Sequence, residues 1–202
     1  MKITTFNNKL LSAVNRSSHN LYKKINSIVE TAYLRFIGVK IQGGGEFRGW
    51  TSVFLANDSI IEIGDGCAFN SNGYYNHIGL NHRCIITTMR QGAKIIIGAG
   101  TGISSSTITS WKSVYIGNNV RIGANCVIMD GDFHLDDPRV SDARPIIIES
   151  GVWLGANVVV LKGITIGKNT VIGMNSIVTK DIPENCIAAG NPCKVIRFIN
   201  RK

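Results

Sequence analysis

Four histidines could carry acid–base chemistry in this chain of 202 residues: His19, His77, His82 and His134. Imidazole titrates near neutral pH, which suits a proton acceptor. His134 stands apart because Asp130, Asp132, Asp136 and Asp137 crowd it in sequence. Asp132 precedes it by two, so in an extended chain both side chains point the same way. A carboxylate beside an imidazole fixes its tautomer and raises its basicity, as a general base requires. The D-x-H spacing alone also fits a solvated loop. His19 falls in a helical segment and reads as a surface residue, while His77 and His82 fall in an irregular one. The five Cys form no CxxC pair and are odd in number, which argues against a disulfide framework or a structural zinc site. Cys67 and Cys126 read instead as small buried hydrophobes.

The elements that must position these groups follow from one period. Ile148, Leu154, Val160, Ile166, Ile172 and Val178 stand six apart, and the same beat links Ile116, Ile122 and Ile128, and Ile97 and Ile103. A hexapeptide period predicts a parallel β-helix, each hexad supplying one flat face. The other slots agree. The second slot after the aliphatic residue is Gly at Gly98, Gly117, Gly123, Gly155, Gly167 and Gly173. The fourth is Gly or Asn, as at Gly100, Asn119, Asn125, Asn157, Asn169 and Asn175, the residue types that tolerate positive φ at a corner. The fifth is mostly small, as at Cys67, Thr101, Cys126 and Ser176.

Three segments break the pattern. Residues 8–36 have helical spacing, with Leu21, Ile25, Ile28, Val29, Ala32 and Phe36 on one stripe. Such a helix either caps the first coil and hides its open edge or rests as a basic amphipathic helix on a membrane surface; the cap is the favoured reading. Residues 70–94 lose the beat. From Ile128 to Ile148 is twenty residues where three hexads take eighteen, which predicts a two-residue surplus bulging out as a loop over 130–145 around His134. The expected organisation is a helical cap over 1–45, a β-helix over 46–188 and a basic tail over 189–202.

The net charge is +9, with Lys2, Lys9, Arg16, Lys23 and Lys24 at one end and Lys194, Arg197, Arg201 and Lys202 at the other. A basic balance suggests an anionic partner such as a polyphosphate or an acidic lipid surface. No nucleic-acid motif accompanies it. No window is apolar enough to span a membrane, and the N-terminus lacks a secretory core, so a cytoplasmic location is expected.

The segments D-x-D-F-H (130–134), G-V-W-L-G-A-N (151–157), I-G-M-N-S-I-V-T-K-D-I-P (172–183) and A-A-G-N-P-C-K-V-I-R (188–197) carry a resemblance. This part of the chain resembles the hexapeptide-repeat O-acetyltransferases, the galactoside, maltose and xenobiotic acetyltransferase group, and most of all the sugar O-acetyltransferases of surface-polysaccharide synthesis. The resemblance implies a left-handed β-helix and a homotrimer, with acetyl-CoA as co-substrate in the groove between neighbouring prisms and no metal. By the same resemblance His134 is the catalytic base, and among the nearby carboxylates Asp132 is chosen as its partner. The Ala156 backbone N–H meets the oxyanion, and Trp153 walls the channel. Met174, Thr179 and Lys180 line the pantetheine arm. Met174 stands where relatives often have Ala. Lys194 and Arg197 lie near the CoA phosphates. The implied acceptor is a sugar or glycan hydroxyl at the cytoplasmic face of the membrane, where the basic N-terminal segment is a candidate for peripheral contact.

Other readings of the same scaffold are N-acetylation of an amino sugar, a serine acetyltransferase, acyl-carrier-protein-dependent acyl transfer and a non-catalytic trimeric scaffold. A serine acetyltransferase is expected to carry a larger helical N-terminal domain. A zinc carbonic anhydrase needs three His around an open metal position, and only His134 lies near the regular late coils.

Overall fold

The computed structural model describes residues 2–199 apart from Leu135, with side chains from Ser17 onward. The side chains of Lys2, Lys9 and Arg16, together with Arg201 and Lys202, lie outside the described residues. Short strands wind into a three-faced parallel prism. The first face stacks Lys40–Ile41, Ile60–Ile63, Lys94–Ile97, Ser113–Ile116, Ile146–Ile148 and Thr165–Ile166. The second stacks Glu46–Arg48, Ala68–Asn70, Gly102–Ser104, Arg121–Ile122, Trp153–Leu154, Val171–Ile172 and Cys186–Ala189, and ends on an antiparallel return strand, Lys194–Phe198. The third stacks Ser52–Phe54, Ile85–Thr88, Thr107–Ser110, Val127–Met129, Val159–Val160 and Ile177–Val178.

The hexad columns explain this winding. First-slot aliphatics sit over one another in register, as Ile63, Ile97, Ile116, Ile148 and Ile166 do, and fill the interior. Fourth-slot residues turn the corners: φ is 54° at Asn119, 58° at Asn157 and 59° at Asn175, a region in which Asn and Gly are enriched. These corner amides also tie successive coils, since Asn157 Nδ2 donates to Asn175 Oδ1 at 2.9 Å. The second slot is Gly because coils touch there. A Cβ on Gly155 would lie 2.6 Å from the Met174 nitrogen, a distance no side-chain carbon tolerates. Fifth-slot side chains point inward and satisfy corner carbonyls: Thr101 Oγ1 donates to the Gly117 carbonyl at 2.9 Å and Cys126 Sγ to that of Gly155 at 3.1 Å. Burial pushes the Cys126 thiol up to about 11, and all five cysteines are free and buried.

Three features differ from the sequence reading. The prism begins at Lys40–Ile41, paired to Glu62 and Ile63, inside the segment assigned to the cap. The loop around His134 keeps the expected bounds, between Met129 and Ile146, but its surplus is far larger than two residues. A regular coil advances 18 residues, from Ile148 to Ile166, whereas the coil from Ile116 to Ile148 takes 32, a surplus of 14. Counting in sixes cannot see the twelve residues that make two whole extra hexads. The same comparison gives the coil from Ile63 to Ile97, 34 residues long, a surplus of 16, most of it in a loop over 71–84 and the rest in the turn before Lys94.

The third difference concerns helix α1, Lys2–Phe36. It covers the first coil as a cap should, but with its polar side. Ser27 Oγ accepts from the Phe47 N–H at 2.9 Å and Asn26 Nδ2 donates to the Phe47 carbonyl at 3.1 Å. The Glu30 carboxylate, fully buried, accepts from the Thr51 N–H at 2.6 Å, and burial raises its pKa. The reason is that the first strand of the second face is an edge strand, whose unpaired backbone groups need polar partners. Leu34 is buried, while Leu21, Ile25, Ile28, Val29 and Phe36 face outward. No described helix is long and apolar enough to cross a membrane.

Candidate active site

The loop over 130–145 leaves the third face after Met129 and returns to the first at Ile146. Its root is built rigidly. Asp130, fully buried, accepts from Ser110 Oγ at 2.8 Å and from the backbone N–H groups of Trp111 and Lys112 at 2.6 and 2.9 Å. Gly131 lies flat on the Trp111 ring, where a Cβ would meet it at 2.9 Å, and Phe133 packs edge-on against the same ring at 4.9 Å. Lys162, one coil further on, reaches into the loop. Its ammonium pairs with the Asp132 carboxylate and donates to the Ser141 carbonyl at 2.8 Å, so one side chain joins the loop's outgoing and returning legs. A groove of about 140 Å³ opens beside this root, lined by Val127, Met129, Val159 and Leu161.

Beyond the root the loop projects. His134 is exposed, and among the described residues its ring has no hydrogen bond. Three of the four acids near it are each occupied differently. Asp130 holds the root and Asp132 holds Lys162. Asp137 is bound by Arg139 at 2.6 Å, whose guanidinium lowers its carboxyl below the usual value. The chosen pair of Asp132 with His134 is therefore not formed in the isolated chain.

A second group of expected residues gathers elsewhere on the prism. Trp153, half exposed, projects from the second face. Ala156 turns the next corner, and its N–H has no acceptor among the described residues. Met174 lies exposed on the same corner one coil along. In register on the second face stand Arg121, Trp153, Val171, Ile187 and Arg197. Arg197 is thus three strand steps from Trp153, ~14 Å at the usual spacing. Lys194, on the same return strand, pairs with Ala189. Thr179 and Lys180 are exposed on a different corner, between the third face and the first, in the coil after Lys162.

The expected residues thus divide between two edges of one prism. Trp153, Ala156 and Met174 share one edge, and Lys194 and Arg197 share its face. His134, Asp132, Thr179 and Lys180 belong to the edge across the third face. Sequence reasoning missed Lys162, whose partner lies 30 residues away, and Trp111, which carries Gly131 and Phe133. It also left the loop over 71–84 unplaced. That loop is laid along the Ala156 edge: Asn81 N–H donates to Asn125 Oδ1 at 3.0 Å, His82 N–H to Ser105 Oγ at 3.2 Å, and the Ser105 hydroxyl donates to the His82 carbonyl. Asn125 precedes Asn157 on that edge by one coil.

Comparison with known proteins adds a lineage to this geometry. The profile described as the hexapeptide repeat of succinyl-transferase matches residues 113–131 and 145–180. The galactoside O-acetyltransferase of Lactococcus lactis is 38% identical over 147 residues, 69% of this chain and 63% of that protein. The chain spans just over 60% of the length of the curated relatives it matches. The crystal structure of the polysialic-acid-specific acetyltransferase NeuO aligns with a TM-score of 0.66 and 31% identity, over 81% of this chain and 69% of that one. An N-acyltransferase of Bacillus cereus, AntD, shares the fold with a TM-score of 0.61 at 17% identity, over 85% and 89% of the two chains.

Proposed function

The chain belongs to the hexapeptide-repeat acetyltransferases, with their left-handed parallel β-helix, and from that premise we propose that it is an acetyl-CoA-dependent O-acetyltransferase acting on a sugar hydroxyl. One observation carries the reading in its finer form. His134 and the free Ala156 N–H stand on different edges of the same prism, so a site that uses both is closed by a neighbouring prism. A homotrimer satisfies this, with the loop of one copy meeting the Ala156 edge of the next.

In such a site His134 takes the proton from the acceptor hydroxyl as its oxygen attacks the thioester carbonyl. The Ala156 N–H donates to the oxyanion that develops on that carbonyl. When the carbon–sulfur bond breaks, the imidazolium returns its proton to the departing thiolate. Trp153 forms a flat apolar wall beside the thioester, and Arg197 with Lys194 supplies cations for the phosphates at the far end of the row. The acetyl ester forms as the thioester is lost, so no other reactant is consumed.

The likeness to enzymes of galactosides and polysialic acid supports a glycan of the cell surface as acceptor. The test is release of CoA in the presence of nucleotide sugars, lipid-linked sugars and free glycans, with mass spectrometry of the product and an acceptor-free control for thioester hydrolysis. A single acetyl ester on a sugar is expected. Release that does not depend on any of these acceptors, or that survives His134→Ala unchanged, overturns the reading.

A further inference from the structure

The acetyl-transfer site makes no use of an aromatic cavity toward the N-terminal end of the Ala156 edge. The loop over 71–84 meets helix α1 there, and the two bound a space of about 480 Å³, lined by Ser18, His19, Tyr22, Asn72, Tyr74 and Tyr75. That is a usual size for a small-molecule site, about 300–1,000 Å³. We propose that this cavity is a distal sugar subsite, which holds one ring of a glycan acceptor while another ring is acetylated. The inference rests on the acetyl-transfer reading for its link to the reaction, and on the cavity's own chemistry for its ligand.

The walls are set before any ligand arrives. Asn72 Oδ1 accepts from the Tyr74 N–H at 2.9 Å and shapes the single turn Gly73–Tyr75. Tyr75 Oη donates to the His19 carbonyl at 3.2 Å, which joins loop to helix. The His19 and Tyr74 rings stack at 3.9 Å, and Tyr75 stands edge-on to them at 6.3 and 5.3 Å. Ser18 and Tyr22 are one helical turn apart and share a face. With one side of its ring on His19, Tyr74 still has 54% of its surface exposed, and Tyr22 has 48%. Rings fixed in advance cost a ligand little ordering.

The chemistry selects a saccharide. A pyranose offers a flat face of polarised C–H bonds, and the face of an aromatic ring carries the opposite, negative charge. Its rim of hydroxyls needs both donors and acceptors, which the Asn72 amide and the phenols of Tyr22 and Tyr74 provide. A nucleotide also stacks on such rings, but its phosphates call for cations. Among the described residues, no lysine or arginine lines the cavity.

Its position agrees. The loop that carries Tyr74 runs on to Asn81 and His82, which are fastened to Asn125 and Ser105 on the Ala156 edge. From the corner at Ser71 to the one at Asn157 is three coils, ~14 Å along the prism. Lys194 and Arg197 lie toward the opposite end. A cofactor that runs from them to Ala156 leaves this side to the acceptor, and a glycan of several rings spans the interval.

Galactosyl and sialyl oligomers, each from the monosaccharide to longer chains, are the probes. Binding is titrated without acetyl-CoA by ligand-observed NMR, and kcat/KM is measured by CoA release. The unmodified protein is expected to bind the longer chains of one series more tightly than its monosaccharide. Tyr74→Ala should reduce that preference about tenfold, and Tyr74→Phe, which keeps the ring, should retain it. In turnover, Tyr74→Ala should lower kcat/KM for the long chain about tenfold more than for the monosaccharide. Equal binding of every length, or a preference for length that survives Tyr74→Ala, overturns the subsite. So does binding of uridine diphosphate that Tyr74→Ala abolishes, which assigns the cavity to a nucleotide. Tyr74-dependent binding without acetyl transfer to any glycan overturns the transfer reading and agrees with the sugar cavity.

Discussion

The prism throws out two loops of similar size, and they are held in opposite ways. The loop over 71–84 is laid down along its length, through Ser105 and Asn125, on the edge that carries Ala156. Among the described residues, the loop over 130–145 is fastened at its root, by Asp130, Trp111 and Lys162, and His134 stands clear. The difference separates two tasks. A surface that recognises a ligand gains from being fixed before the ligand arrives. On the proposed reading, a base that reaches a site on another copy needs a firm root and a reaching tip.

The largest effect should come from the free tip. His134→Ala is expected to lower CoA release by about 10²–10⁴-fold, with an unchanged melting temperature; a large loss of stability would show that the tip is not free. At the root of the same loop, Asp130→Ala strips three donors of their buried acceptor. It should cost about 3 kcal/mol by chemical denaturation, and a near-zero cost would dissolve the contrast between root and tip. Lys162→Met should lower kcat on the order of tenfold through misplacement of His134, leaving KM for acetyl-CoA unchanged, with Lys162→Arg restoring part of the rate. An equal rise in KM would place Lys162 at the cofactor instead.

On the laid-down loop the expectations are milder. Ser105→Ala removes hydrogen bonds to both backbone groups of His82 and should cost about 1 kcal/mol. It should raise KM for the acceptor rather than for acetyl-CoA. Smallest is a control outside both loops, at Glu30. Burial raises its pKa in the folded state, so the folded protein holds this proton more tightly than the unfolded one. The group's contribution to stability is present below its unfolded value and lost as pH rises through the folded one. Glu30→Gln keeps an acceptor for the Thr51 N–H. It should raise the melting temperature slightly at about pH 8 and not at about pH 4; the opposite pH order would refute the buried-carboxylate account.

The regular part of the molecule was legible because its rules are local. An Asn at φ near 58° or a Gly pressed on the next coil leaves its mark at one position, six residues from the next. The contacts that make the site were not legible for the converse reason. Lys162 meets Asp132 across 30 residues, and no spacing rule links a lysine before a corner glycine to a loop two hexads of surplus long. The helix shows a third kind of failure. Its stripe correctly grouped Leu21, Ile25, Ile28 and Phe36 on one face, yet amphipathicity does not say which face a neighbour wants. The edge strand at Phe47 wanted hydrogen bonds, and so it took the polar one. His134 and Ala156 were named together from resemblance, and their separation on the prism appears only once the chain is wound.

The pressed contact between Gly155 and Met174 has a consequence for how such a site can change. Coils that touch backbone to backbone can be neither squeezed nor spread, so length along a face comes in rungs. Trp153 and Arg197 are separated by three of them, ~14 Å. Inserting one more 18-residue turn between them would make the separation ~19 Å, with no setting between. A ligand that spans the face is therefore measured against a ladder, and its two ends are matched by counting rungs rather than by adjusting them.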